Sequence, residues 1–421
     1  MLGAILSLAA LLTAIALSIF SRINVGLLGL GFSYALGIFF LHLKVKDVSA
    51  GFPTGLLLTL LGLTLLFGHA KVNGTLERMA GWAVQLARGR IGLLPIVFFG
   101  LAVVLGTLGA GNIGAVALLA PIGMQVAAEL EIPPFLMALM VACGGNASAF
   151  SPVAPTGVIA VELMGRIGLH GTGWHNYAQC LLAHVVIGFG GYFLFGGWQL
   201  LRTEPTGEQR ARLEAALAAR KQRLAPRHYL TLAVLATMLI LVSQWRLDVG
   251  VLALAAALFL SLTRASNEEA ALRTLPWDTI LMVCGMTVLM SILEKTGGIE
   301  LCTRLLGRLA TPGTAPLVMG TLTGALSAYS SSSGVVLPAF LPTIPALIAK
   351  LGGGDPLALA DSVNVGAHLV DVSPLSTLGA LCLACAPPCD HARLYRQLLA
   401  WGMGMIVVGG LYCYVMFAVL R

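Results

Sequence analysis

Charged residues are scarce in this sequence. Asp, Glu, Lys and Arg make up 10% of the 421 residues, whereas a soluble domain carries roughly a quarter. So few charges cannot cover the surface of a water-soluble fold. Hydrophobic residues make up 58% of the chain, and they recur in runs of about 20, the length at which an α-helix spans a bilayer. The sequence therefore predicts an all-α polytopic membrane protein.

Disulfide and metal-binding patterns are also missing. Most of the eight cysteines lie inside apolar runs, where a thiol packs as a small hydrophobe. Cys382, Cys385 and Cys389, near His391, come closest to a metal pattern, but packing is the favoured interpretation. The net charge of +7 does not indicate a nucleic-acid partner, because Lys and Arg lie in short loops between apolar runs. We expect no cofactor.

The apolar runs form two sets of six. A polar segment, 202–227, separates them and is predicted to be a cytoplasmic linker between two repeats, 1–201 and 228–421. The first run, 2–20, has no basic residue ahead of it, so we expect a spanning helix rather than a signal peptide. The motif at 151–157 shares Ser, Pro and Gly, in register, with the motif at 373–379 in the corresponding run of the second half. This coincidence predicts an internal duplication.

Two runs in each half are interrupted. The runs 91–130 and 315–348 contain Gly109-Ala110-Gly111-Asn112 and Tyr329-Ser330-Ser331-Ser332-Ser333-Gly334, which favour turns over continued helix. Their short arms predict re-entrant hairpins, and two full spans with a tight loop are the alternative. The runs 135–163 and 357–386 contain Ser-Pro pairs, and proline removes a backbone donor, so we expect broken helices.

Hairpins leave five crossings in each half, so the two repeats are predicted to be inverted. Under this topology Lys and Arg divide 16 to 9 between the two faces, and the richer face is assigned to the cytoplasm. We expect Lys71, Arg88 and Arg220 inside, Arg304 and Lys350 outside, and both termini outside. Full double spans would instead give six crossings in each half and a parallel duplication.

Irregular backbone at membrane depth is expected only where it lines a polar cavity. Inverted repeats bring their broken elements together near the midplane, where helix N-termini attract anions and unwound carbonyls and hydroxyls bind small cations. The candidate anion ligands are Asn112, Asn146, Ser151, Thr156, Ser331, Ser332, Ser373, Ser376 and Thr377. The candidate cation-coupling residues are Asn112, Ser148, Ser330, Ser333 and Asp371. Each of these side chains also has a structural alternative, which is a hydrogen bond to a backbone N–H or C=O group that a break in the helix leaves unpaired.

A carboxylate inside an apolar run is a functional hypothesis by default. Asp371 lies two residues before Ser373, and we interpret it as a cation ligand or proton carrier. A structural pair with His368, three residues earlier, is the alternative. Asp361 is expected nearer the outer surface, and His69 and His184 are expected to have packing or interface roles.

The order of hairpin, broken helix and final span, given twice, resembles the divalent anion/sodium symporter family of the ion transporter superfamily. Four motifs are similar to those of malonate-type dicarboxylate carriers: Phe52-Pro53, Asn73-Gly74-Thr75-Leu76-Glu77, Gly111-Asn112-Ile113 and Ser151-Pro152-Val153-Ala154-Pro155-Thr156-Gly157. The resemblance implies an elevator-type homodimer in the cell inner (plasma) membrane. It implies symport of a small organic di-anion, of malonate or C4-dicarboxylate type, with a cation, and Na+ at Asn112, Ser330 and Asp371.

This sequence departs from the family at both hairpin tips. Sodium symporters of the family carry Ser-Asn-Thr there, whereas this chain has Gly111-Asn112-Ile113 and a run of four serines, 330–333. Proton-coupled transport of another organic anion, such as gluconate, citrate or a sulfonate, is therefore the alternative. A hydrolase using Ser373, His368 and Asp371 lacks a nucleophile-elbow pattern, and a channel would need charged rings or a filter repeat. We expect a carrier and not an enzyme.

Overall fold

Every described element of secondary structure is a helix. The structure, a computed structural model, describes residues 2–21, 23–76, 78, 90–202, 207, 224–245, 247–387 and 391–420. Within these ranges there is no strand, and seven helical segments are long and apolar enough to cross a bilayer. The prediction of an all-α polytopic membrane protein is confirmed. Most of the predicted linker 202–227 lies outside the described residues, as do Glu77, Arg88, Arg220 and Cys389.

The first half contains ten described helices. They are α1 (Leu2–Ser21), α2 (Val25–Ala35), α3 (Val45–Ser49), α4 (Thr54–Val72), α5 (Leu93–Leu105), α6 (Gly111–Glu129), α7 (Pro134–Ala147), α8 (Pro155–Arg166), α9 (Gly173–Tyr192) and α10 (Trp198–Arg202). Turns of π-helix, Leu36–Phe40, Gly106–Ala110 and Phe193–Gly197, follow α2, α5 and α9. Proline begins both α7 and α8, because its missing N–H would be unpaired at that position in any case.

The second half contains eleven described helices. They are α11 (Pro226–Trp245), α12 (Val249–Leu262), α13 (Glu268–Leu272), α14 (Trp277–Lys295), α15 (Gly298–Leu306), α16 (Ala315–Ser327), α17 (Leu337–Phe340), α18 (Ile344–Leu351), α19 (Pro356–Leu369), α20 (Thr377–Ala384) and α21 (His391–Tyr414). A π-turn, Ser332–Val336, leads into α17, and a second, Val415–Val419, follows α21. A 3-10 turn, Val370–Val372, follows α19.

The two halves pack through glycines. Helix α2 packs on α14, and α4 packs on α12. A Cβ atom built on Gly62 would lie 2.9 Å from the Leu254 nitrogen, and one built on Gly285 would lie 2.6 Å from the Gly26 Cα. Backbones this close leave no room for a side chain, so the small residues let helices of opposite halves make van der Waals contact without a hydrophobic driving force.

The interrupted runs pack as units. Helices α5 and α6 lie against each other and against α7, while α16 lies against α19 and α21. A Cβ atom on Gly144 of α7 would be 2.5 Å from the Phe99 carbonyl oxygen, and one on Gly366 of α19 would be 2.5 Å from the Gly320 oxygen. Each interrupted helix therefore rests on the arm before it through a glycine.

The Asn73-Gly74-Thr75 motif has a structural role. The Asn73 Oδ1 accepts bonds from the Thr75 nitrogen (3.1 Å) and hydroxyl (2.6 Å), which close the turn after α4. Its Nδ2 donates to the Thr231 hydroxyl at 2.8 Å, so the same amide ties α4 to α11. Gly74 has φ of 79°, a conformation that glycine adopts at little cost.

Candidate functional site

A cavity of about 260 Å³ lies where five interrupted or adjoining elements meet. Its walls include the end of the turn between α5 and α6 with the first residues of α6 (109–113, the first tip), and the start of α8. Ser333, from the turn between α16 and α17 (329–334, the second tip), also lines it. Helix α4 contributes Thr64, Phe67, Gly68 and Lys71. The start of α14 and the residues just before it contribute Thr274, Pro276 and Thr279.

The first tip needs its glycines. Gly109 has φ of 118° and Gly111 has φ of 69°, both in the region that side chains disfavour. A Cβ atom on Gly109 would also lie 2.8 Å from the Val153 carbonyl oxygen. The first tip therefore packs closely against the segment between α7 and α8 (148–154, the first break). Helix α6 begins at Gly111, so its unpaired N–H groups lie at the cavity wall.

Serines of the first break bond to backbone. The Ser151 hydroxyl donates to the Thr107 carbonyl at 2.8 Å, and the Ser148 hydroxyl donates to the Gly145 carbonyl at 2.6 Å. Both side chains are buried. The Ser151 bond joins the first break to the turn that leads into the first tip, whereas the Ser148 bond stays within the end of α7. Both bonds correspond to the structural alternative for these residues. Thr156, by contrast, lines the cavity at the second position of α8.

Asn112 and Asn146 form an amide chain that leads away from the cavity. The Asn112 Nδ2 donates to the Asn146 Oδ1, and the Asn146 Nδ2 donates to the His368 carbonyl, each at 3.0 Å. Asn146 is fully buried, whereas Asn112 lines the cavity. The two predicted ligands are thus brought together, and they connect the first tip to both interrupted helices.

Asp371 is surrounded by serine hydroxyls. The Ser332 hydroxyl lies 2.9 Å from Oδ1 and 2.8 Å from Oδ2 of the Asp371 carboxylate. The Ser376 and Ser327 hydroxyls lie 3.3 Å and 3.5 Å from Oδ1. The Asp371 carboxylate is buried in this group, which we call the serine cage: Ser327, Ser332, Asp371 and Ser376.

The other predicted ligands lie around these two groups. The Ser330 hydroxyl donates to the Leu326 carbonyl at 3.1 Å, and the Ser331 hydroxyl caps the following turn by accepting from the Gly334 nitrogen at 3.1 Å. Ser373 is buried and accepts from the Leu375 nitrogen at 3.3 Å. Thr377 begins α20 with an exposed side chain. Asn112 and Ser330 were expected beside Asp371, but they bond instead to the Asn146 side chain and to the Leu326 carbonyl.

His368 does not hydrogen-bond to Asp371, the pairing considered as an alternative from the sequence. The His368 Nδ1 donates to the Asn364 carbonyl at 2.9 Å, and its ring packs edge-on against Phe150 at 4.6 Å. Asp371 is bound by serines, so its alternative pairing with His368 is not the arrangement in the structure. The described residues hold no cluster of three or more His, Cys, Asp or Glu side chains suited to a metal ion.

Two features were missed from the sequence. Lys71, which was expected only as one of the positive charges on the cytoplasmic face, lines the cavity. Asp361, expected nearer the surface, is fully buried, and its Oδ2 lies 2.9 Å from the His175 Nε2. The sequence marked Asp361 only as an ionisable residue within an apolar run. Its partner, His175, is 186 residues away, so local sequence did not indicate the pair.

Comparison with known proteins identifies the family. The model described as "Dicarboxylate carrier protein MatC N-terminus" matches residues 1–149 and 225–370. Relatives include an uncharacterized transporter of Mycobacterium bovis and an uncharacterized transporter of Mycobacterium tuberculosis. Each is 24% identical over 315 residues, which cover 72% of this chain and 70% of the relative. Because the family model covers more than half of the sequence, this chain belongs to the MatC dicarboxylate carrier family.

Proposed function

We propose that this protein is a secondary active transporter that carries a small organic di-anion, of malonate or C4-dicarboxylate type, in symport with sodium. The observation that carries the proposal is the cavity between the two tips. At about 260 Å³ it is below the range of about 300–1,000 Å³ typical of sites for drug-sized ligands. Among the described residues that line it, Lys71 is the only charged side chain. A small anion fits both the size and the charge.

Two helix N-termini support an anion at this position. Helices α6 and α8 both begin at the cavity wall, and the first N–H groups of a helix have no partner within it. Aligned peptide dipoles add a partial positive charge at each start. The Asn112 amide and Thr156 hydroxyl supply further donors. A di-anion with one carboxylate at each helix start would accept hydrogen bonds from the unpaired N–H groups of both helices.

The serine cage supports the cation. A buried carboxylate is costly unless a positive charge or donors compensate it, and carboxylate and hydroxyl oxygens are the hard ligands that small cations prefer. The geometry favours Ser332 and Ser376, rather than Ser330 and Asn112, as the companions of Asp371. Ser332 faces the carboxylate while the next residue, Ser333, lines the cavity. Cation binding would therefore order the wall against which the anion binds.

The proposal includes inverted repeats and an elevator-type movement in a homodimer of the plasma membrane, with both termini outside. Equivalent glycine contacts at Gly144 and Gly366 support the duplication. The two segments matched by the family model, 1–149 and 225–370, support it independently, since each ends just before a Ser-Pro pair. The runs 91–130 and 315–348 would be re-entrant hairpins, and 135–163 and 357–386 broken helices.

A second cavity supports alternating access. It has a volume of about 530 Å³ and is lined by Thr287, Met290, Ser291 and Glu294 of α14. The residues of α4 that line the first cavity, Thr64, Phe67, Gly68 and Lys71, have the same spacing. Corresponding positions of the two halves thus line both cavities, as expected if inverted repeats exchange roles when access alternates between the two faces.

A binding screen tests substrate and cation together. Thermal unfolding of the purified protein is followed with malonate, succinate, citrate or gluconate, in sodium chloride or choline chloride. A ligand at about 100 times its Kd stabilises the folded state by about 2.7 kcal/mol. We expect malonate or succinate to raise the melting temperature in sodium and much less in choline. Stabilisation by gluconate or citrate alone, or equal stabilisation in both salts, would contradict the proposal.

A further inference from the structure

A third cavity lies where three apolar spans have their ends, away from the two cavities described above. It has a volume of about 560 Å³. The candidate spans Leu93–Glu129, Gly173–Arg202 and His391–Val419 each have an end close to it. Charged and aromatic side chains at the ends of membrane spans lie at the depth of the lipid head groups. The nearest ligand for this cavity is therefore a phospholipid of the surrounding bilayer.

One face of α21 supplies hydrogen-bond donors to this cavity. Arg393 and Gln397 line it, and Trp401 follows at the same spacing of four residues, so all three side chains lie on one face of the helix. Arg393 is exposed at the start of α21, whereas Trp401 is half-buried two turns further into the span. The Trp401 Nε1 is itself buried, and it has no hydrogen-bond partner among the described residues. An unpaired buried N–H group indicates that an acceptor from outside the chain belongs beside it.

The apolar wall of the cavity is aromatic. Phe135, in the first turn of α7, and Phe195, in the turn after α9, both line the cavity, and their ring centroids are 5.1 Å apart. The Trp401 ring packs edge-on against both of them, at 6.2 Å from Phe135 and 5.9 Å from Phe195. Phe195 is nevertheless 49% exposed, so much of its surface is available to an acyl chain. We call this cavity the aromatic groove, lined by Glu131, Phe135, Phe195, Arg393 and Gln397.

The charges of the aromatic groove match a zwitterion. Among the described residues, Arg393 and Glu131 are the charged side chains that line it. A guanidinium group forms strong paired hydrogen bonds with a phosphate, and a carboxylate can accept from several N–H donors at once. A head group with a phosphate and a primary ammonium complements both side chains. An anionic head group would leave Glu131 beside a second negative charge, and a trimethylammonium group has no N–H to donate.

We propose that the aromatic groove binds one molecule of phosphatidylethanolamine, with its phosphate at Arg393, its ammonium at Glu131 and one acyl chain along the two phenylalanine rings. The glycerol ester oxygens follow the phosphate in the lipid, and they accept from Gln397 and, once the acyl chain turns the exposed Phe195 ring aside, from the Trp401 Nε1. The bound lipid joins the start of α7 to the end of α9 and the start of α21. This site does not depend on which solute the protein carries.

Native mass spectrometry of the delipidated protein tests the site. The protein is titrated with phosphatidylethanolamine, phosphatidylcholine or phosphatidylglycerol of identical acyl chains, and the fraction that carries one lipid gives each Kd. We expect phosphatidylethanolamine to bind about tenfold more tightly than the other two lipids. Arg393→Gln should weaken its binding about tenfold. Arg396→Gln is the matched control and should bind like wild type, because Arg396 is exposed off the donor face and its Nε donates to the Ala392 carbonyl.

Two further variants separate the contacts. Glu131→Gln should remove the preference for phosphatidylethanolamine over phosphatidylcholine, because the amide has no charge for the ammonium. Trp401→Phe keeps an aromatic ring but loses the N–H group, so it should weaken both lipids alike. Equal affinities for the three lipids in wild type, tightest binding of phosphatidylglycerol, or equal effects of the two arginine variants would overturn the site. Should Trp401→Phe not fold, the two exposed arginine positions decide the outcome.

Discussion

The side-chain amide of Asn146 donates to the main-chain carbonyl of His368 at 3.0 Å, across 222 residues of sequence. Both residues lie five positions before a Ser-Pro pair. The same amide accepts from Asn112. One fully buried side chain therefore holds together the first tip and the two interrupted helices, α7 and α19.

Replacing Asn146 by Ala should destabilise the protein. The change leaves the His368 carbonyl and the Asn112 amide without this partner, at a cost of about 1–3 kcal/mol for each buried group. Chemical denaturation in detergent measures the loss. Gln125→Ala, at an exposed site on α6, should change the free energy of unfolding by less than about 0.5 kcal/mol. Equal stability of the two variants would argue against a bridging role for Asn146.

Asp371→Asn should weaken the effect of the coupling ion while the protein stays folded. The variant removes the charge that a cation would compensate but keeps an oxygen toward Ser332. We expect the sodium-dependent rise in melting temperature to disappear, with Asp278→Asn, an exposed carboxylate on α14, as control. If a proton is the coupling ion, uptake should become insensitive to pH and lose accumulation, while exchange remains. Wild-type uptake and ion dependence would reduce Asp371 to a structural residue.

Lys71→Gln should raise the KM for the di-anion about tenfold, equivalent to about 1.4 kcal/mol. The change removes the positive side chain of the cavity wall, whereas Lys71→Arg keeps the charge and should retain most of the affinity. Initial rates of uptake against substrate concentration provide the measurement. Lys46→Gln, at an exposed position outside the cavity, is the control. The same KM in both glutamine variants would remove Lys71 from the anion site.

Inverted topology predicts that Lys71 and Lys350 are accessible to a labelling reagent from opposite sides of the membrane. Cysteine introduced at Lys71 should react with a membrane-impermeant maleimide only after cells are opened, whereas cysteine at Lys350 or Arg304 should react in intact cells. The reason is the excess of Lys and Arg expected on the cytoplasmic face. Of the six free cysteines described, five are buried, which limits background labelling. Labelling of all three positions in intact cells would refute the hairpin topology.

The predictable part of the fold follows from local chemistry. Too few charges and long apolar runs require lipid around the chain, and proline chemistry indicates where helices end, as at Ala147 before Ser151-Pro152. The candidate site was predictable to the level of segments: Asn112, Thr156 and Ser333 all line one cavity. The roles of individual serines within a segment were not predictable.

The sequence by itself determined the membrane class, the helical secondary structure and the places where polar residues interrupt apolar runs. Each depends on composition and backbone chemistry within a few residues. Only the tertiary structure decided that Ser332 contacts Asp371, that Lys71 lines the cavity and that His175 pairs with Asp361. These contacts depend on which helix faces meet. Successive helical residues point about 100° apart, so a small rotation of one helix exchanges one neighbouring side chain for another.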